Sequence, residues 1–131
     1  MSWTPIRSET CIYMIDCLYT SVHSWVLDIG CGDHICNQLQ GFRQSRQLGS
    51  GDSNLRGAEG SIVDAEAIGT YELKFPSRLI LLLNNCYYVP KLIKNIISYD
   101  CLIDQGFHYI FNKKNNLAHK NNVFYFETKN C

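Results

Sequence analysis

The stretch Trp25-Val26-Leu27-Asp28-Ile29-Gly30-Cys31-Gly32-Asp33-His34-Ile35-Cys36 constrains this chain more than any other. An apolar run ends abruptly in an acid and passes into a glycine-rich turn. Trp25 to Asp28 reads as a short apolar strand stopped by Gly30 and Gly32. An acid at the end of a buried strand is costly unless something uses it. Asp28 is therefore either a turn residue that accepts nearby backbone N–H groups or a carboxylate placed for chemistry.

Further strands surround that stretch. Ile12 to Ile15 suits a short strand at the N-terminal edge, and Cys36 to Leu48 suits a turn or short helix. Gly49 to Asn54 is a loop. Ser61 to Ala67 and Thr70 to Phe75 read as strands, with Gly69 as a bulge or bend between them. Arg78 to Leu83 and Cys86 to Val89 are β-compatible, the second stopped by Pro90. Asn95 to Leu102 is mixed enough for a short helix. Phe107 to Asn112 and Val123 to Phe126 are aromatic strands, and Lys113 to Asn116 is a polar turn. Many short strands, frequent turns and one late helix predict an all-β barrel or sandwich. At 131 residues the chain suits one domain.

Charge and cysteine content narrow the function. Twelve basic and twelve acidic residues balance, so no overall basic field holds nucleic acid. The aromatic residues from Tyr87 to Phe126 then read as core and edge rather than as platforms for bases. The seven cysteines are odd in number and unevenly spaced, which argues against a disulfide scaffold. Met1 to Thr20 lacks the pattern of a secretory signal, and no apolar run approaches the ~18 residues of a membrane span. The expectation is a cytoplasmic protein with reduced thiols and no membrane contact. Cys31, His34 and Cys36 are of types that suit zinc, but their spacing offers no fourth ligand. His23, His108 and His119 are scattered along the sequence. No metal and no cofactor are expected.

Several segments, in order, resemble the protease-type β-barrel domain of copia-type retrotransposon Pol polyproteins. That family has a Trp-Val-Leu-Asp-(Ser/Thr)-Gly motif followed by Cys/Ala, a small residue, Ser/Asp, His and an apolar residue, similar to Trp25 through Ile35, with Ile29 in the hydroxyl position. Its hairpin ending in Val-Gly-Thr is similar to Gly60 through Ala67-Ile68-Gly69-Thr70. Its Leu-Tyr-Val-Pro segment is similar to Cys86-Tyr87-Tyr88-Val89-Pro90. Its Asn-Leu-(Ile/Leu)-Ser helix with a following Gly-aromatic pair is similar to Asn95-Ile96-Ile97-Ser98 and Gly106-Phe107. The resemblance runs from Trp25 to Phe126. It implies a retropepsin-like closed β-barrel over residues 25–126, with one short helix in its C-terminal half. Residues 1–24 would then be an N-terminal extension and 127–131 a tail, the whole a fragment of a longer polyprotein.

The resemblance also implies a chemistry. Retropepsins are aspartic proteases in which each of two chains supplies one acid, so Asp28 takes the catalytic position of a homodimer that cleaves polyprotein peptides. Two facing carboxylates share one proton: the ionised one activates water and the protonated one polarises the scissile carbonyl. Asp33 reads as a turn residue rather than a second acid. Gly57 and Gly60 fall in the region of the flap that closes over substrate, with Glu59 an unusual charge there. Gly30 keeps the active-site loop tight. Ile29 removes the hydroxyl that locks the two loops together, and predicts weak or absent activity. The alternative is a non-catalytic dimerisation or interaction barrel that has lost its chemistry.

Overall fold

The computed structural model describes residues 12–15, 25–49, 52, 64–112 and 115–129. Ten strands and one helix follow in order: β1 (Ile12–Ile15), β2 (Trp25–Asp28), β3 (Ile35–Cys36), β4 (Phe42–Gln47), β5 (Ala67–Lys74), β6 (Ile80–Tyr88), β7 (Asn95–Ser98), α1 (Tyr99–Asp104), β8 (His108–Phe111), β9 (Asn115–Lys120) and β10 (Val123–Lys129). A 3-10 turn spans Leu39–Gly41 ahead of β4. All ten strands join one sheet in the order β4-β5-β6-β3-β7-β2-β1-β10-β9-β8.

The centre of this sheet is covered on both faces, which explains the unbroken apolar run of β2. Trp25 and Leu27 face the larger core with Tyr71, Leu73, Leu81, Leu83, Ile97 and Phe126. Val26 faces a second core with Cys31, Ile35, Ala65, Val89, Leu92 and Ile96. β7, parallel to β2, divides in the same way, Ile96 to one core and Ile97 to the other. A strand buried on both faces has no polar side to alternate with. Farther out, β5 alternates: Ala67, Tyr71 and Leu73 are buried while Ile68, Thr70 and Glu72 are only partly covered.

The expected closure is not found. Among the described residues no pairing joins β4 to β8, so the sheet has two edges. Most residues of both edge strands are exposed, whereas a closing pair would bury them. The sheet curls instead: Phe75, just past β5, stacks on Phe126 of β10 with centroids 5.5 Å apart and planes at 21°. Side chains of one core, rather than a backbone ladder, bring the two halves of the sheet together.

Several local expectations change for physical reasons. Asn95 to Ser98 is a strand, not the start of a helix, because Ile96 and Ile97 must reach opposite cores; the helix begins at Tyr99. Thr70 to Phe75 belongs to one longer strand that starts at Ala67, and Ser61 lies outside the described residues. Arg78–Leu83 and Cys86–Val89 merge into β6. The irregularity near Gly69 is carried by its neighbours: Gly69 and Tyr71 pair with Cys86 and Leu83, which leaves an extra residue on β6. Asn85 there takes φ 54, a region asparagine tolerates. Gly69 is needed for another reason, since a Cβ on it would sit 2.0 Å from the backbone oxygen of Gln44. β3, β4 and β9 carry too little apolar alternation to be read from sequence. Ile12 to Ile15 does form a strand, paired with β2 on one side and β10 on the other, so it lies inside the sheet rather than at its edge.

Candidate functional site

β2 delivers Asp28 to the start of a turn that runs to His34. The Asp28 residue is 1% exposed, and its Oδ1 accepts the N–H of Gly30 at 2.7 Å. Burial pushes the carboxyl above its ordinary 3.8; hydrogen bonds from the Gly30 and Cys31 backbone pull against this and offset only part of it. The acid is thus enclosed, with N–H groups of its own turn directed at the carboxylate. Ile29 faces the other way and is 38% exposed, with Gly30 and Gly32 exposed beside it.

The rest of the turn is tied to β7 and α1. Ser98 pairs with Asp28 across the parallel strands. Its hydroxyl donates to the Cys31 carbonyl at 2.7 Å and accepts from the Cys101 N–H at 3.2 Å. Ser98 therefore holds the turn and caps α1 with one oxygen. The Cys101 thiol adds a contact to the Gly32 carbonyl at 3.2 Å.

His34 completes the fastening from below. It is wholly buried, and its Nδ1 accepts the Ser98 N–H at 3.0 Å. That contact leaves the proton on Nε2, which faces Gln105 Oε1 at 3.3 Å. Gln105 in turn donates from Nε2 to the Leu82 carbonyl at 2.8 Å. Burial pulls the imidazole down to about 4, so it is neutral near pH 7. A matching fastening lies at the other end of β7, where Asn95 Oδ1 accepts the Asn37 N–H at 2.8 Å and Asn37 Nδ2 donates to the Leu92 carbonyl at 2.7 Å.

The residues singled out from sequence thus part company. Asp28, Ile29 and Gly30 sit in one turn, with the acid inward and the isoleucine outward. Gly57 and Gly60 lie outside the described residues. Asp33 is partly buried, and burial raises its carboxyl. Cys31, His34 and Cys36 do not converge: the Cys31 thiol meets the Asp33 carbonyl at 3.2 Å, the Cys36 thiol meets the Gln38 carbonyl at 3.5 Å, and both His34 nitrogens are occupied. Burial pushes the Cys31 thiol up to about 12, which leaves no thiolate for nucleophilic chemistry. Among the described residues no three metal-binding side chains gather, and no helix is long and apolar enough to cross a membrane. Sequence reasoning gave no role to Ser98, Cys101 or Gln105. For Ser98 a signal existed: serine is a favoured first residue before a helix, and it closes the apolar β7.

Comparison with known proteins places this arrangement. No curated protein and no solved structure matches the chain. The family model described as Pol polyprotein, beta-barrel domain matches residues 25–107. That span takes in β2 to β7 and α1, hence the acid turn and every side chain that fastens it. By that match, which covers more than half of its length, the chain belongs to the Pol polyprotein beta-barrel domain family.

Proposed function

We propose that this is a retropepsin-like domain of copia-type origin whose acid turn is retained as structure while peptide hydrolysis is lost, leaving a non-catalytic interaction module. The observation that carries this reading is the state of Asp28: 1% exposed, with Oδ1 already taken by the Gly30 N–H. A hydrolytic carboxylate must hold a water within hydrogen-bond reach. Ile29 supports the same reading, because it offers no hydroxyl with which a second turn could be locked.

Two observations favour the second reading, a homodimeric aspartic protease acting on polyprotein peptides. Burial raises the Asp28 carboxyl, the direction in which a shared-proton pair needs at least one member shifted. Exposed Ile29 and Gly30 also crown the turn where a second copy would meet it. Peptide hydrolysis by the native chain, Asp28→Asn and Ile29→Thr separates the two. The non-catalytic reading expects native and Asp28→Asn to be indistinguishable from buffer. Pepstatin-sensitive cleavage by the native chain that Asp28→Asn lacks would establish the protease instead.

A further inference from the structure

Two histidines far from the acid turn come together across the β8–β9 ladder. His108 and His119 are register partners on these antiparallel strands. Residues directly opposite in such a pair share one face, with Cβ atoms about 4.5–5.5 Å apart. Their neighbours Tyr109 and Ala118 are also partners, and Ala118 belongs to the main core. The two imidazoles therefore project from the opposite, outer face. His108 is exposed and His119 partly covered. Phe124, the partner of His119 on β10, sets its ring against that imidazole at 5.6 Å and 61°. His119 Nδ1 is buried and has no hydrogen-bond partner.

We propose that His108 and His119 form a two-imidazole site for a divalent transition-metal ion of the zinc or copper(II) class. Imidazole nitrogens suit these ions, which bind at about 2.0–2.1 Å, a spacing two opposed cross-strand rings can span. Hard ions such as calcium and magnesium need a full set of oxygen ligands, which this face does not supply. Glu127, the acid on the same face, has its Oε2 held by Asn115 Nδ2 at 2.9 Å. Among the described residues no third metal-binding side chain joins the pair, so water fills the remaining positions. His119 would ligate through Nε2, because its Nδ1 is buried away from solvent. The pair lies beyond residues 25–107, outside the family match.

The test is calorimetric titration of the full chain with zinc chloride after its accessible thiols have been blocked with N-ethylmaleimide. One ion per chain is expected, with His108→Gln and His119→Gln each weakening binding by about tenfold or more. The double variant should bind no zinc, and calcium chloride should give no heat with any of them. Zinc binding of undiminished affinity in the double variant would overturn the proposal. Copper(II) broadening of the imidazole resonances supplies a second readout in the unsubstituted chain. Broadening must centre on His108 and His119, and broadening that spares both would also overturn it.

Discussion

Asp28 and His34 bracket one turn and respond oppositely to burial. The folded chain holds the Asp28 proton more tightly than the unfolded chain does. This group's contribution to stability is therefore fully present below pH 3.8 and is lost as pH rises through the elevated folded value. His34 runs the other way. Its folded value near 4 lies below the ordinary 6.5, so its contribution is present above pH 6.5 and is lost as pH falls toward 4. At the limit the His34 loss amounts to roughly 3 kcal/mol. Denaturant unfolding from pH 7 to pH 4 should show this decline, and His34→Gln should flatten it. An unchanged slope in the variant would remove His34 from the account. Asp28 as an acid closing an apolar strand was legible in the sequence, including the option of a turn acceptor. The inward path of its carboxylate and the outward path of Ile29 were not, because side-chain direction after a strand end depends on how the next residues are fastened.

At the scale of elements, β7 and α1 are the clamp on that turn. A single Ser98 hydroxyl serves both the Cys31 carbonyl and the Cys101 N–H. Ser98→Ala strands two backbone groups in a wholly buried place and should cost about 2–3 kcal/mol. Thermal and denaturant unfolding measure this, and Ser98→Thr should recover part of the loss by restoring the hydroxyl. A cost below about 0.5 kcal/mol would mean the clamp is incidental. β2 was readable because its apolar run is compact and ends in glycines. β7 was misread as helical because two adjacent isoleucines fit either period, and only the presence of a core on each face decides for a strand. β4 and β9 carry few apolar residues, so pairing with neighbours rather than their own pattern makes them strands.

At the scale of the whole molecule, the described residues form a curled ten-stranded sheet with a core on each face of its centre. The all-β class was readable from strand and turn density. The order of strands was not, because long-range pairing leaves no local trace. β1 shows the consequence most clearly. It sits between β2 and β10, so without it the ladder falls into a six-stranded piece and a three-stranded piece. A chain beginning at residue 25 should lose cooperative unfolding or solubility, read by circular dichroism and size-exclusion chromatography. A soluble, cooperatively folded product would show that β10 can pair with β2 directly. The reading of the molecule as a structural remnant rests on Asp28 serving its own turn. The most direct measurement is the unfolding free energy of Asp28→Asn beside Asp28→Ala at pH 7. Asparagine keeps the acceptor and removes the buried charge, so its stability should equal or exceed that of the native chain. Alanine leaves the Gly30 N–H without its acceptor and should fall below asparagine by about 1–2 kcal/mol. Equal stability of the two variants would contradict the claim and return Asp28 to the role of a carboxylate kept for chemistry.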